Sequence, residues 1–342
     1  MKKLLNTLYV MSEDAYLSLN GETVEVVTPD AKHNIPLHTL ESIVCFSYKG
    51  ASPALMGKCA ENGISLSFFT QNGRYLASTA RLENGNVLLR QEQYRISGDD
   101  EHSLPIAKSF ISAKLYNAKF VLLRVLRDHP MQVNAGKIRS AVDNITAYMN
   151  DLKSAGDKSE LRGIEGNSAA EYFGVFNEMI LQNKAHFVFN GRNRRPPLDP
   201  VNAMLSFAYA LLANDCASAL SGVGIDPFVG FMHTVRPGRK SLALDLMEEL
   251  RAPFADRFVL SLINNRVFGE NDFLTMDNSA VIIKEDARKR FLSEWQQRKK
   301  EELTHPFLGE KTPWGLVPHI QALLLARHIR GDIDAYPPFF WK

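Results

Sequence analysis

The sequence predicts an α+β protein, in which a small N-terminal β domain with one short helix is followed by a larger all-helical C-terminal domain. Apolar and polar residues alternate between turn signals in the first 96 residues, whereas apolar residues recur at helical spacing beyond residue 104. A polar stretch without periodicity, residues 97–101, separates the two patterns. We therefore expect domains at residues 1–96 and 97–342, which suits a chain of this length.

Composition indicates an ordinary globular protein, since 45% of the residues are hydrophobic and 23% are charged. The three cysteines are far apart and form no CxxC pair, so the sequence favours neither a zinc knuckle nor a disulfide framework. The N-terminus has no hydrophobic segment of secretory length. These features predict a cytoplasmic protein without membrane association.

Turn residues define the β domain. Asn20-Gly21 lies between two alternating runs and predicts a hairpin, because both residues accept positive φ. Ser52-Pro53 predicts the start of a short helix, which Gly63 ends. Asn72-Gly73 predicts a second hairpin.

The remaining segments are predicted to be mainly helical. The apolar stretch at residues 203–213 is too short to cross a bilayer and is interpreted as a buried helix. Residues 280–300 predict a long charged amphipathic helix. The aromatic, proline-containing tail at residues 336–341 is interpreted as a site of partner contact.

Two carboxylates, Asp245 and Glu248, stand three residues apart and would share one face of a helix. Like charges so placed repel each other unless a cation compensates them. A divalent metal would do so, and solvent or the nearby Arg251 would also do so. From this spacing alone, the second explanation is the more common one.

Two further segments contain possible metal ligands. Pro237-Gly238 should turn the chain and return His233 toward the start of the Asp245 helix, where imidazole and carboxylates would suit manganese or magnesium. Glu165 stands between two glycines, just before a helical run, with little local cover. It either points into a cleft or stabilises a helix N-terminus through the macrodipole.

Basic clusters flank these segments at residues 192–195 and 236–240. Arginine forks match phosphate oxygens, and such contacts dominate nonspecific binding of nucleic acids. Arg194, Arg236, Arg239 and Lys240 are the candidate nucleic-acid contacts. The alternative for each cluster is a solvated surface loop, and the net charge of +2 is only weak support for a polyanion partner.

Four segments in order resemble the CRISPR-associated adaptation integrase, the larger of the two proteins that insert new spacers during antiviral defence. They are Gly-x-Glu-Gly before an Ala-rich helix with Tyr-Phe, Asn-Ala-x-Leu-Ser-Phe-x-Tyr, Gly-Phe-x-His-Thr and Ser-Leu-x-x-Asp-Leu-Met-Glu, at residues 163–173, 202–209, 230–234 and 241–248. The similarity covers nearly the whole chain. The opening residues are most similar to the type I-C subgroup.

The resemblance implies that Glu165, His233 and Glu248 hold Mn²⁺ or Mg²⁺, with Asp245 as a neighbouring catalytic acid. It implies a metal-dependent endonuclease and integrase, in which the 3′-hydroxyl of a captured DNA fragment attacks a phosphodiester at the repeat edge. The implied partners are double-stranded DNA, a second copy of the chain and the small adaptation protein. The first domain is the expected homodimer surface, and an additional CRISPR-associated nuclease is left open.

Two other functions remain compatible with these residues. A general metal-dependent nuclease of DNA repair would use the same triad without joining DNA. A non-catalytic DNA-binding scaffold would keep the basic clusters and tolerate Glu165→Ala. A small-molecule metal hydrolase lacks support, because the arginine clusters point to a polyanion and no P-loop or Rossmann glycine motif occurs.

Overall fold

A computed structural model describes residues 7–40, 42–70, 75–79 and 87–342. The chain divides into two compact units. The first takes in the described part of Met1–Gly85 together with Glu285–Glu302 and Pro313–Leu316, and the second takes in the rest from residue 87 onward. The chain therefore leaves the first unit before residue 87, whereas the sequence predicted a boundary at 96/97. A helix far along the chain also returns to the first unit, which no local pattern indicates.

Two sheets form the β part of the first unit. One has the order β1-β5-β6-β7, with parallel pairs except for β6 and β7, and the other is the antiparallel sheet β2-β3-β4. The strands are β1 (Thr7–Val10), β2 (Tyr16–Asn20), β3 (Thr23–Val27), β4 (Lys32–Pro36), β5 (Ser42–Cys45), β6 (Ser65–Phe69) and β7 (Tyr75–Ser78). Alternate residues of these strands, such as Leu17 and Val24, form a buried apolar core.

The local predictions in this unit are confirmed where the structure describes them. Asn20 pairs with Thr23 across the first hairpin, and Gly21 has a φ of +57°. The backbone N–H of Leu55 donates to the Ser52 hydroxyl, which caps α1 (Pro53–Glu61). β6 and β7 are antiparallel, but the turn residues Asn72 and Gly73 lie outside the described residues. The predicted helix at 280–300 begins later, as α9 (Glu285–Lys300).

Helices dominate the second unit. They are α2 (Val87–Ser97), α3 (Asp100–Asp128), α4 (Ala135–Ser154), α5 (Lys158–Gly174), α6 (Pro200–Val223), α7 (Ser241–Glu248), α8 (Arg257–Asn264) and α10 (Val317–Ile329). Aspartate or asparagine side chains cap α3 to α6 at their N-termini. Residues 97–101, predicted as a domain linker, instead join α2 to α3 within this unit.

The second unit is mostly helical but not all-helical, so that part of the predicted fold class was wrong. β8 (Phe273–Thr275) and β9 (Val281–Ile283) pair as a short antiparallel hairpin. Two more short strands follow, β10 (Glu302–Thr304) and β11 (Lys311–Pro313). Three-residue strands contain too few residues for a period of two to be recognised beside a helical pattern.

Helix α6 contains the apolar stretch that the sequence predicted to be a buried helix. Among the described residues, it alone is long and apolar enough to cross a membrane by length and composition, yet 67% of its most apolar window is buried inside the protein. Pro200 begins it, and Gly224, at φ +85°, ends it in the left-handed conformation. It packs against α7 and α10 as a core helix of the second unit.

The C-terminal tail is part of this core, so the expected partner contact through its aromatic residues was wrong. Tyr336, Phe339 and Trp341 are all buried. The side chain of Asn117, on α3, donates to the Phe339 carbonyl at 2.8 Å and accepts from the Trp341 N–H at 2.8 Å. These aromatic side chains fill space within their own unit, which leaves them unavailable to a partner.

Candidate active site

Asp245 anchors the His233 segment to α7. Its buried carboxylate accepts hydrogen bonds from three successive backbone N–H groups, those of Phe231 at 2.7 Å, Met232 at 3.0 Å and His233 at 2.9 Å. The same carboxylate contacts His233 Nδ1 at 2.6 Å. The sequence prediction that a turn at Pro237-Gly238 returns His233 to this helix is confirmed, and Gly238 has a φ of +73°.

The contact to Nδ1 determines which ring nitrogen of His233 is available. A neutral imidazole that donates from Nδ1 to a carboxylate keeps the lone pair on Nε2, which is the arrangement usual for metal-binding histidines. The His233 side chain is 22% exposed, whereas that of Asp245 is fully buried. Asp245 therefore positions His233, and four hydrogen bonds occupy its own oxygens.

Gly230 allows the backbone to approach Asp245 closely. A Cβ built at this position would lie 2.7 Å from Asp245 Oδ2 and 2.9 Å from the Ser241 carbonyl carbon. Real Cβ atoms do not make such short contacts, so any larger residue would displace the carboxylate or the loop. The glycine in the Gly-Phe-x-His-Thr segment thus has a steric role.

Glu248, one turn after Asp245, lies between two cations. Its Oε1 is 3.0 Å from Arg251 Nη2, and its Oε2 is 2.9 Å from Lys114 Nζ. Burial raises the pKa of this carboxyl, but the charges of Arg251, Lys114 and His233 outweigh burial and bring the pKa down to about 2. Glu248 is therefore an ionised buried carboxylate at neutral pH.

Glu165 also contacts Lys114, whose ammonium donates to Glu165 Oε1. Glu165 lies inside α5, because Asp157 caps this helix and it runs without a break through Gly163 and Gly166. The prediction that Glu165 precedes the helical run was wrong. The helix begins before Glu165 and continues after it, because Leu161 and Ser168 are buried and hold α5 in place on both sides. Its side chain is 29% exposed.

Lys114 is the residue of this site that sequence reasoning missed. It lies on α3 among buried residues, Ala113 and Leu115 on either side, and its own side chain is only 14% exposed. A lysine in such an apolar helical stretch needs an anionic partner, and this need was the one indication in the sequence that Lys114 belongs to a site. Its partners are distant in sequence, so the signal could not identify them.

Arg251 is held by a buried aromatic and acidic network. The Arg251 guanidinium lies 5.0 Å from the centre of the Tyr209 ring, and the Tyr209 hydroxyl donates to Asp256 Oδ1 at 2.6 Å. Burial raises the pKa of Asp256 to about 6 despite this hydrogen bond. Both Arg251 and Asp256 belong to a π-helical turn, Arg251–Asp256, a geometry that often occurs at functional sites.

The candidate nucleic-acid contacts differ in exposure. Arg194 and Arg236 are exposed, whereas Arg239 and Lys240 are partly buried. Burial lowers the pKa of Lys240 to about 8. Arg192, grouped with the first basic cluster in the sequence, is instead a structural residue, since it donates to Asn202 Oδ1 at 2.6 Å and lies over the Tyr209 ring.

The donor set fits a hard divalent cation. Two carboxylates and an imidazole held by a carboxylate are ligands that Mn²⁺ and Mg²⁺ accept. Glu248 Oε2 is buried and has no hydrogen bond of good geometry, and a cationic ammonium lies between it and Glu165. In the described ranges, no three His, Cys, Asp or Glu side chains converge closely enough to hold a metal as they stand.

Comparison with known proteins identifies the family. The family model for CRISPR associated protein Cas1 matches residues 8–297. The chain belongs to the Cas1 family. It is 50% identical over 347 residues to CRISPR-associated endonuclease Cas1 2 of Rhodospirillum rubrum, and 47% identical over 343 residues to CRISPR-associated endonuclease Cas1 1 of Chlorobaculum tepidum. Each of these alignments covers 100% of both chains.

Some Cas1 relatives are longer than this chain. The exonuclease Cas4/endonuclease Cas1 fusion of Geobacter sulfurreducens is 35% identical to 97% of this chain, which covers 60% of the fusion. Its name pairs the Cas1 sequence with a second nuclease in one polypeptide.

Solved structures share the Cas1 fold. A Cas1 protein from Thermotoga maritima superposes with a TM-score of 0.83 at 22% identity, over 97% of this chain and 99% of that one. A casposase bound to integration product gives a TM-score of 0.85 at 23% identity, over 98% and 94% of the chains. A Cas6-RT-Cas1–Cas2 complex gives 0.84 at 20% identity, over 100% of this chain and 36% of that one. A β-rich N-terminal region and a mostly helical remainder are thus features of the Cas1 fold.

In this Cas1 family member, charge contacts link the four predicted acidic and histidine residues in two pairs. Lys114 joins Glu165 to Glu248, and Asp245 joins His233 to the helix that carries Glu248. The roles of Glu165, His233 and Glu248 as metal ligands, and of the basic residues as DNA contacts, stay predictions.

Proposed function

We propose that this chain is a metal-dependent DNA endonuclease and integrase of CRISPR adaptation, which inserts captured DNA fragments as new spacers. The observation that carries the proposal is the grouping of His233, oriented by Asp245, with two carboxylates that lie around one cation. Membership of a family whose relatives are named endonucleases supports it, as does the fold shared with a casposase bound to integration product.

In the proposed reaction, the 3′-hydroxyl oxygen of the captured fragment forms a bond to phosphorus at the repeat edge. The bond from phosphorus to the leaving 3′-oxygen breaks, and the hydroxyl proton is transferred overall to that oxygen. Attack by water in place of the hydroxyl yields cleavage without joining. The same residues would serve both reactions, because only the nucleophile differs.

Glu165, Glu248 and His233 Nε2 would hold Mn²⁺ or Mg²⁺. When bound, such a cation polarises a phosphoryl oxygen and lowers the pKa of the attacking hydroxyl or water. Asp245 keeps the His233 ring in one tautomer and one orientation, so that Nε2 presents its lone pair to the site. Arg251 binds the other oxygen of Glu248 and limits rotation of that carboxylate.

The exposed guanidinium groups of Arg194 and Arg236, with Arg239 and Lys240 nearby in sequence, would contact DNA phosphates. Such contacts position the backbone and add affinity without reading sequence. The proposed partners are double-stranded DNA, a second copy of the chain bound through its β-rich N-terminal region, and the small adaptation protein. The Cas4/Cas1 fusion supports an additional nuclease as a further partner. The proposal also places the protein in a type I-C CRISPR system and in the cytoplasm.

Strand transfer of a short fluorescent duplex into a repeat-containing plasmid tests the function. The reaction contains Mn²⁺ and the small adaptation protein, and compares wild type with His233→Ala and with His102→Ala, which alters an exposed residue of α3. We expect wild type and the His102 variant to join DNA and the His233 variant to fail. Equal joining by all three proteins would overturn the site. Cutting by wild type without joining would favour the general repair nuclease. The non-catalytic scaffold would be favoured by a different pair of results. Wild type would neither cut nor join DNA, and Glu165→Ala would bind DNA as tightly as wild type.

A further inference from the structure

A single ammonium group lies between the two glutamates of the candidate site. Lys114 Nζ donates to Glu165 Oε1 and lies 2.9 Å from Glu248 Oε2. These two side chains come from different helices, α5 and α7, and Lys114 comes from a third, α3. Helix α3 packs against both α5 and α7 in the second unit. The ammonium of Lys114 therefore links side chains from two other helices.

The charges of this group balance without a metal. Glu165 and Glu248 contribute two negative charges, and Lys114 and Arg251 contribute two positive ones. Buried carboxylates need such compensation, because an unpaired charge in the interior is strongly destabilising. A divalent cation added to the same two carboxylates would leave the group with two excess positive charges. A divalent cation bound to both carboxylates would also need the position that the Lys114 ammonium occupies between them.

Lys114 and Arg251 differ in how firmly they are held. The Arg251 guanidinium lies over the Tyr209 ring, and the hydroxyl of that ring is bonded to Asp256, so Arg251 has partners besides Glu248. Within the described part of the chain, hydrogen bonds and ion pairs join the Lys114 ammonium to the two glutamates alone, and the lysine side chain is 14% exposed. A lysine has a flexible four-carbon stem that can carry its charge into solvent.

The oxygens that Lys114 contacts are also the ones a metal would need. Glu248 Oε1 is bound to Arg251, so Oε2 is the oxygen left for another cation, and it has no hydrogen bond of good geometry. Glu165 Oε1 faces the same ammonium. Removal of the ammonium would therefore free one oxygen on each glutamate at a single point.

We propose that Lys114 is an internal competitor of the metal: its ammonium holds Glu165 and Glu248 together in the metal-free protein and is displaced when a divalent cation binds. The inference rests on the proposed metal site. Lys114 thereby has a positioning role. Its ammonium compensates the two carboxylates, so that they do not repel each other before the metal cation binds. The same competition weakens binding of the cation, so metal loading depends on how easily the lysine leaves.

Binding of Mn²⁺ alone, without DNA, tests this inference. The free Mn²⁺ signal in electron paramagnetic resonance gives the dissociation constant for wild type, Lys114→Met, Lys114→Gln and Lys114→Arg. We expect Mn²⁺ to bind at least tenfold more tightly to the Met and Gln variants. The Arg variant keeps a cation and should bind Mn²⁺ no more tightly than wild type. Lys119→Met, on the same helix, is the matched control and should bind like wild type.

Thermal unfolding gives a second readout that does not depend on activity. The metal-free Met variant should unfold at a lower temperature than wild type, and Mn²⁺ should raise its Tm by more than it raises that of wild type. Lys114→Gln retains an amide donor for the glutamates, so it covers the case in which the Met variant does not fold. If wild type binds Mn²⁺ and the Met and Gln variants bind it equally tightly or more weakly, the inference about Lys114 is overturned but the proposed metal site is not. Absence of Mn²⁺ binding in every protein would overturn the inference and the proposed metal site together.

Discussion

The Asp245 carboxylate lies 2.6 Å from His233 Nδ1 and accepts the N–H groups of His233 and of the two residues before it. One buried side chain thus holds both the ring and the backbone that carries it. The ring cannot turn without breaking its contact to a carboxylate that the backbone keeps in place.

Asp245→Asn is expected to disturb this arrangement severely. An amide has one acceptor oxygen, so its NH₂ group would face backbone N–H donors or the His233 ring. Leaving buried donors unsatisfied costs about 1–3 kcal/mol each. We expect lower stability in urea unfolding and loss of strand transfer. Asp143→Asn, at an exposed position on α4, is the matched control. Retention of wild-type activity by Asp245→Asn would show that His233 does not need this anchor.

Gly230→Ala tests the close approach of the loop to Asp245. The added Cβ would meet Asp245 Oδ2 at 2.7 Å, and overpacking of this kind costs about 1–3 kcal/mol. Gly222→Ala is the matched control, because a Cβ there meets nothing within 4 Å and Gly222 lies in α6. The control should be neutral or stabilising by roughly 0.5–1 kcal/mol. Thermal unfolding and strand transfer of both variants check the prediction, which fails if the two behave alike.

Glu249 predicts a pH dependence of stability. Its carboxyl is buried with hydrogen bonds from Gln321, Tyr336 and Phe339 but no cation among them, and burial raises its pKa from 4.5 to about 8. Between these two pH values the folded protein keeps a proton that the unfolded chain has released. Stability contributed by the neutral carboxyl therefore falls as pH rises from 4.5 to 8, by up to about 1.4 kcal/mol per pH unit.

Glu249→Gln should remove this decline. Glutamine mimics the neutral acid, with its oxygen toward Phe339 and its NH₂ group toward the Tyr336 hydroxyl. Urea unfolding at pH 5 and at pH 8.5 is expected to give similar stabilities at the lower pH and a more stable variant at the higher pH. Parallel pH dependences of wild type and variant would contradict the raised pKa. Glu171→Gln, at a half-buried position on α5, controls for the general effect of removing a carboxylate.

Arg236 and Arg194 are expected to contact DNA phosphates. Alanine at either position should weaken duplex binding for all sequences alike and reduce the slope of log K against log salt by about 1. Fluorescence anisotropy at several salt concentrations measures both quantities. Arg139→Ala removes an exposed arginine from α4 and should leave the slope unchanged. An unchanged slope in the Arg236 and Arg194 variants would assign them to solvated surface loops.

The sequence by itself determined the features that depend on near neighbours. The hairpin at Asn20-Gly21, the cap at Ser52 and the return of His233 to the Asp245 helix all follow from turn and cap chemistry within a few residues. The four motifs in order also predicted the Cas1 family, and the glycine of one of them has a steric role at Gly230.

Only the tertiary structure decided how the charges are compensated and where the distant segments pack. Lys114 lies 51 residues from Glu165, and no local pattern can reveal a pair at that separation. Packing likewise returned α9 to the first unit, placed Glu165 inside a helix and buried the aromatic tail against Asn117. Such outcomes depend on which surfaces meet after the helices form, and the free energy of those contacts is not a property of any single segment.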